Sequence, residues 1–253
     1  QDKVYIKKTG EPTYRVPDTA YHRDKIERGF DLIVDIFGAD HKDAYPDVIG
    51  ALNALNYKTD HINVVIYQFV TLIRDGEKIK MSTRNADFIT ISELIEQLGS
   101  DVVRYFFIMR GVNSHLNFDL NLAEDQSDKN PVFYLQYAHA RICSILHRAK
   151  DFNKKSLKDF DSNLLNKESE LNLLKQINEF PTVIKNACTK LEPQSISIYL
   201  NEIASDFHKF YNECKVISND SEKTKSRLAL ISATKVVLKS GLSILGISAP
   251  KKM

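Results

Sequence analysis

The stretch LIVDIFGADHKDAYPDVIGALNAL (residues 32–55) reads as one unit of an α/β fold. Residues 32–37 are a mostly apolar run of strand length, the pattern of a buried parallel strand. Gly38, Ala39, Asp40 and His41 follow at once, just past the strand's carboxyl end, where ligands gather in open α/β sheets. Residues 47–55 then read as the next helix. Upstream, DTAYHRDKIERGF (residues 18–30) spaces Ala20, Asp24 or Lys25, and Ile26 as a short helix would, and ends at Gly29, the residue favoured after a helix C-cap. The three segments together predict an αβα unit.

The pattern changes at Asn63. Residues 64–73 are rich in β-branched and aromatic side chains and predict a strand, Asp75-Gly76 is a favoured two-residue hairpin turn, and residues 78–81 alternate polar with apolar on a return strand. Thr90 and Glu93 spell a capping box, and Gly99 closes the helix that it starts. A cationic loop at residues 82–89 is thus slung between two anchored elements, a common mounting for a mobile clamp.

The second half predicts helices almost throughout. Asn130-Pro131 supplies an N-cap and a first-turn proline for a helix running to about Lys150. Further periodic segments follow at about 168–190, interrupted by Pro181, then at 194–217 and 221–240. Short connections predict an antiparallel bundle. The expected fold class is α/β plus all-α, with domains at residues 1–129 and 130–253.

Composition narrows the function classes. The chain has 253 residues, 27% of them charged, and no apolar run approaches the roughly 18 residues of a membrane span, so a soluble protein without membrane attachment is expected. The start QDKVYIKKTGEPTY has no apolar core of a signal peptide and no initiator Met. Cys143, Cys188 and Cys214 are odd in number and widely spaced, which predicts free thiols in a reducing cytoplasm and gives no support for zinc. Residues 131–253 hold 19 Lys and Arg against 12 Asp and Glu, and residues 1–130 hold 16 against 21. A basic second half suits a polyanion, although solvated lysine-rich helix faces give the same count.

Three residues in the cationic loop form a candidate triphosphate clamp. Lys80 and Ser82, two apart in an extended loop, can aim an ammonium and a hydroxyl at one oxyanion, and Arg84 adds a planar fork for phosphate oxygens. In the helical half, Tyr134, Tyr137, Arg141 and Arg148 make an aromatic and basic stripe beside the apolar stripe of Leu135, Ala138, Ile142 and Ala149. Such a stripe suits a single-stranded RNA loop, or the tyrosines simply pack at the rim of the bundle. A metal site from His22, Asp40 and His41 lacks a ligand-spacing motif, and no metal site is expected.

KMSTR (residues 80–84) resembles the KMSKS signature of class I aminoacyl-tRNA synthetases, with Thr83 and Arg84 departing at the last two positions. GEPTYRVPDTAYHRDKIERGFDLIVDIFGADH, DVVRYFFIMRGVNSHLNFDLNLA, NPVFYLQYAHARICSIL and LGISAPKKM resemble, in order, stretches of the bacterial-type arginyl-tRNA synthetases. The resemblance spans essentially the whole chain. It implies the C-terminal half of a Rossmann-type nucleotide-binding catalytic domain followed by an α-helical anticodon-binding bundle.

It also implies site residues. Tyr14 and Asp18 match the positions that recognise arginine, and the chemistry agrees, because a guanidinium suits a carboxylate and an aromatic partner. Asp18 also suits a capping residue after Pro17. Gly38, Asp40, His41 and Met81 would border the nucleotide, with His41 also lining the amino-acid pocket; Lys80, Ser82 and Arg84 would serve the leaving pyrophosphate. Tyr134, Tyr137, Arg141 and the last residue, Met253, would approach the tRNA. The implied ligands are arginine, ATP with Mg²⁺, and tRNA(Arg), for a cytoplasmic monomer. None of the seven histidines stands in the H-x-G-H frame that class I synthetases use at the α-phosphate, which implies half of an active site. The D-A-L-R string is likewise missing, with SRLAL (residues 226–230) only a loose echo. A non-catalytic RNA-binding module, or a class I synthetase of another specificity such as cysteine, are the competing readings; a carboxylate in the side-chain pocket is wasted on an uncharged substrate.

Overall fold

The computed structural model describes residues 3–79, 89–149 and 160–253. They divide into two compact units, one of residues up to 70 with 112–116, the other of residues 71–111 and 117–253. This grouping by packing differs from a division at residue 130, because helices ahead of that position pack into the bundle.

In the first unit, helix α1 (Arg15–Glu27) starts earlier than its apolar spacing suggests, with Tyr14 as its N-cap residue. Pro17 therefore falls in the first turn, where its missing N–H is no loss. Asp18 is a helical residue of that turn rather than a cap, and its charge suits the positive end of the helix dipole. Gly29, at φ 76°, takes the left-handed conformation that ends the helix. Strand β1 (Ile33–Gly38) follows, then helix α2 (Tyr45–Ala54), then strand β2 (Ile62–Tyr67), parallel to β1 in the register Ile33↔Ile62 to Gly38↔Tyr67. Leu52 and Val48 of α2 are buried, giving the unit a small core.

The strand expectation needs one correction. Ile33 and Asp35 are buried, but Ile36 is 65% exposed and Val34 also faces outward, so β1 is covered on one face, not two. The predicted single strand over 64–73 is likewise two elements, β2 and β3 (Val70–Arg74), separated where the Gln68 N–H donates to the Val112 carbonyl.

In the second unit β3 turns at Asp75 (φ 54°) and Gly76 (φ 79°) into the short β4 (Glu77–Lys78), pairing Ile73 with Lys78 and Arg74 with Glu77. Two positive φ values are what a type I′ turn demands. The strand order is β4-β3-β5, with β5 at Leu116–Asp119. Residues 80–88 lie outside the described residues, and Lys80, Met81, Ser82 and Arg84 with them. Beyond them the capping box is present: the Thr90 hydroxyl accepts from the Glu93 N–H at 3.2 Å, and the Glu93 carboxylate accepts from the Thr90 N–H at 2.6 Å, ahead of α3 (Ile91–Leu98). The Thr90 N–H, and then the Thr90 hydroxyl, which donates to the same carboxylate at 2.8 Å, hold the Glu93 carboxyl below the usual range.

Helix α4 (Ser100–Ile108) and the short α5 (Leu120–Glu124) lead into α6 (Pro131–Arg148), capped by the Asn130 side chain. Three long helices complete the bundle: α7 (Glu168–Lys190), α8 (Gln194–Glu213) and α9 (Ser221–Ile244). Leu135 and Ile142 from α6, Leu200, Ile203 and Phe207 from α8, and Leu228, Ile231 and Leu238 from α9 are fully buried. Gly241 lets α9 approach α8 closely, since a Cβ there would lie 2.6 Å from the Leu200 side chain.

Pro181 does not interrupt α7, contrary to expectation. A mid-helix proline costs about 3 kcal/mol from its lost bond and its clash. Packing against α8 opposes that cost: Phe180 stacks on Tyr199 at 5.8 Å, and the Tyr199 hydroxyl donates to the Gln176 carbonyl at 2.7 Å. Among the described residues no helix is long and apolar enough to cross a membrane.

Candidate functional site

The first unit contains a cavity of about 840 Å³ bounded by α1, β1 and the start of α2. Tyr14, the N-cap residue of α1, and Asp18, one turn further on, share one side and both line it. Asp40 and His41 line it too, from the turn that continues β1. Four sequence-predicted residues thus line one cavity. Tyr14 is held by Arg15, whose guanidinium lies 4.9 Å from its ring centroid and donates to Asp47 at 2.8 Å. That hydrogen bond from Arg15, with Lys3 nearby, keeps the Asp47 carboxyl below its ordinary range.

His41 sits 3.8 Å from Asp40 and 6.2 Å, ring to ring, from Phe37. Gly38 is not in the cavity wall; a Cβ there would fall 2.7 Å from Asp40 Oδ1, so its lack of a side chain leaves room for the Asp40 carboxylate. Of the predicted nucleotide residues, Met81 lies outside the described residues. A second cleft, of about 530 Å³, is lined chiefly by Val16, Ala20, Ala51, Ala54 and Leu55, with Arg23 as its sole charged lining residue, and offers little for a polar ligand.

Sequence reasoning missed the floor of the larger cavity. His22 Nδ1 donates to the Asp18 carbonyl at 2.7 Å, and His22 Nε2 lies 2.7 Å from Asp35 Oδ2. Lys25 Nζ donates to Asp35 Oδ1 at 2.5 Å. His22 and Asp35 are both 7% exposed, and the lysine also sits 4.9 Å from the Tyr21 ring centroid. This buried network ties the turn of α1 that holds Asp18 to strand β1. The signal was present as a D-x-x-x-H-x-x-K spacing on one helix, but the partner, Asp35, stands on another element. Replacing Asp35 with Asn leaves Lys25 without its counter-charge, and an unfolding stability lower by about 2 kcal/mol is expected, read by urea denaturation. A change below a few tenths of a kcal/mol would remove the network from the account.

In the second unit the stripe on α6 faces α8. Tyr134 and Tyr137 lie 4.9 and 6.1 Å from the His208 ring, and the second pair is nearly parallel at 19°. Arg141 lies 4.6 Å from the Tyr137 ring centroid and 4.7 Å from that of Tyr211, and also donates to the Tyr137 hydroxyl. His208 Nε2 is buried with no hydrogen-bond partner among the described residues. Burial, aided by Arg141, lowers the His208 pKa against the pull of Asp128. His208 and Tyr211 were not singled out from sequence, although their i, i+3 spacing puts them on one face of α8. Tyr137 is 41% exposed, so its edge is open to solvent, and Met253 is exposed as well.

Residues 135–253 match the family model described as the DALR anticodon binding domain. Over 252 residues the chain is 53% identical to an arginine–tRNA ligase of Salinibacter ruber, covering all of this chain and 45% of that protein. It is 48% identical over 255 residues to one of Desulfotalea psychrophila, again covering all of this chain and 46% of the relative. The chain is homologous, end to end, to arginine–tRNA ligases. It spans about half the length of the curated relatives it matches. Among solved structures, a Campylobacter jejuni chain described as an arginyl-tRNA synthetase superposes with a TM-score of 0.87 at 33% identity, covering 100% of this chain and 55% of that one. The Thermus thermophilus arginyl-tRNA synthetase superposes at 0.80 with 19% identity, covering 99% and 51%, a likeness of fold alone.

The expected mixed α/β and helical-bundle architecture is therefore that of the C-terminal portion of arginine–tRNA ligases. Among the described residues no three His, Cys, Asp or Glu side chains are grouped as a metal site.

Proposed function

We propose that this chain is the part of an arginine–tRNA ligase that selects arginine, holds ATP at its triphosphate and grips tRNA(Arg), with residues 1–129 serving catalysis and residues 130–253 serving the anticodon side. The observation that carries the reading is the one cavity lined by Tyr14, Asp18 and His41 in a chain homologous throughout to such ligases. Asp18 would pair with the substrate guanidinium while Tyr14 offers its ring and hydroxyl, a charged hydrogen-bonding pocket that rejects uncharged side chains. His41 and Asp40 would border the ribose or the amino-acid backbone, with Gly38 giving the Asp40 carboxylate its room, and Met81 would border the nucleotide.

The arginine carboxylate would attack the α-phosphorus of ATP, forming the mixed anhydride arginyl-adenylate as the α–β bond breaks and pyrophosphate leaves. Lys80 and Arg84, with the Ser82 hydroxyl, would stabilise the negative charge gathering on that leaving group. Mg²⁺ would arrive with ATP and offset phosphate charge. A 3′-terminal ribose hydroxyl of the tRNA would then attack the arginyl carbonyl, releasing AMP. The relatives are about twice as long as this chain, and we infer that the α-phosphate histidines come from the part they have in addition. Tyr134, Tyr137, Arg141 and Met253 would meet the tRNA, whose unpaired bases stack on aromatic faces. We infer a cytoplasmic monomer, consistent with three free thiols among the described residues.

Arginine-dependent ATP–pyrophosphate exchange, with and without tRNA, tests this on the protein that contains the chain. Exchange requiring both arginine and tRNA is the expected result. No exchange together with intact tRNA binding would leave a non-catalytic RNA-binding module as the function.

A further inference from the structure

Residues 247–253 run along the opposite side of α6 from the tyrosine stripe. Gln136 and His139, three residues apart, share that side, whereas the two residues from Tyr137 to His139 turn the helix by about 200°. The contacts there are specific. Ser248 donates its N–H to Asp101 Oδ1 at 3.2 Å and its hydroxyl to Asp101 Oδ2. Gln136 Nε2 bridges Asp101 Oδ2 at 2.8 Å and the Ser248 carbonyl at 3.1 Å. His139 Nδ1 donates to the Pro250 carbonyl at 2.8 Å, and Arg104 Nε to the Leu245 carbonyl at 2.5 Å. Gly246, at φ 69°, makes room for that arginine, since a Cβ would lie 2.5 Å from its Nε. Gln136 and His139 are buried, so this is not a loose surface contact.

Through the His139–Pro250 bond the latched segment brings Lys251 to the His139 side of the bundle; burial lowers the His139 pKa against the Pro250 hydrogen bond, and Lys235 and Lys239 of α9 with Lys251 lower it further. Among the described residues none of the three lysines forms an ion pair with a carboxylate. Three unpaired cations around one anchored segment make a field suited to a phosphodiester backbone.

We propose that Asp101, Gln136 and His139 are positioning residues that latch residues 247–253 against α6, so that Lys251 joins Lys235 and Lys239 as a phosphate-binding edge of the RNA site. This rests on the RNA-binding reading above. The open face of α6, with Tyr137 and Arg148, then lies between an aromatic wall on the α8 side and a cationic wall on the α9 side. A strand laid across α6 would stack on the first and be held through its phosphates by the second.

The test measures binding of an arginine tRNA transcript to the whole chain across 50–200 mM salt. It compares the wild type, Asp101→Ala, a chain lacking residues 251–253, and the two combined. Asp101→Ala is expected to weaken binding on the order of 10-fold and to lower the salt slope by about one phosphate contact. Carboxypeptidase should also remove its last residues faster. In the shortened chain the same substitution should cost nothing further. An equal loss in both backgrounds, or no loss in the intact one, overturns the latch. Ser248→Ala removes the two hydroxyl bonds of the latch, to Asp101 and from Gln136, at an exposed position and serves if Asp101→Ala does not fold. Tyr137→Ala separates the two readings: weakened binding there with unchanged latch variants refutes the latch alone, and unchanged binding throughout refutes both.

Discussion

On the function proposed above, replacing Asp18 with alanine in the protein that contains this chain is expected to raise the arginine concentration at half-maximal pyrophosphate exchange on the order of 100-fold and to leave that for ATP within about 3-fold. On that proposal, a guanidinium brought into the cavity would lose water on one side and regain a charge-assisted bond from the carboxylate; without it the desolvation would be uncompensated. The helix makes the prediction specific. Asp18 lies one turn beyond Tyr14, and its carbonyl is pinned by His22, so its Cα is held and deletion of the carboxylate cannot be repaired by a shift of the turn. Equal effects on arginine and ATP would mean that Asp18 supports the fold of the site and does not touch the guanidinium.

The largest stability effect is expected at Arg227. Its Nε donates to Glu170 Oε1 at 2.6 Å and its Nη1 to the Lys215 carbonyl at 2.8 Å, with Glu170 fully buried and Arg227 nearly so. Glu170 also accepts from the backbone N–H groups of Asn166 and Lys167 at the start of α7. Replacing Arg227 with Met leaves a buried carboxylate with one oxygen unpaired, and a loss of about 3–5 kcal/mol is expected in urea denaturation. Adding Glu170→Gln should recover most of it, because the amide oxygen still caps α7 and no charge is left buried.

The pH dependence follows in sign. Burial pushes the Glu170 carboxyl up, but the Lys167 N–H and Arg227 outweigh it, and the folded-state pKa lies below the ordinary value. A depressed carboxyl contributes stability that is present above its unfolded pKa and lost as pH falls through the folded one. The wild type should therefore lose more stability than Arg227→Met plus Glu170→Gln on acidification below about pH 4.5. Equal acid sensitivity would mean that the pair carries none of it.

Elements set by neighbouring residues were legible in the sequence. Asp75-Gly76 dictates its turn through backbone sterics, and both residues adopt positive φ. Thr90 and Glu93 specify a helix start with two reciprocal bonds, and Asn130-Pro131 another. The lining of the candidate cavity was legible where it is local too, since four residues of a helix bring Tyr14 and Asp18 to one face, and a strand end delivers Asp40 and His41. The roles proposed for these residues rest on the resemblance to arginyl-tRNA synthetases, since spacing alone left them open.

Sequence by itself thus determined the α1–β1–α2 unit, the hairpin, the caps and the helical second half, because each follows from propensities and hydrogen bonds that close within a few residues. Tertiary structure alone decided the rest. Pro181 stays inside α7 because Phe180 and Gln176 are engaged by Tyr199, 19 residues or more away in the chain. His22 becomes part of the site floor only when α1 meets Asp35 on β1, and His208 becomes a wedge between tyrosines only when α8 packs on α6. Asp101 meets Ser248 across 147 positions of sequence. Such pairings are selected by how whole faces bury and which polar groups must then find partners, and no local window of residues holds that information.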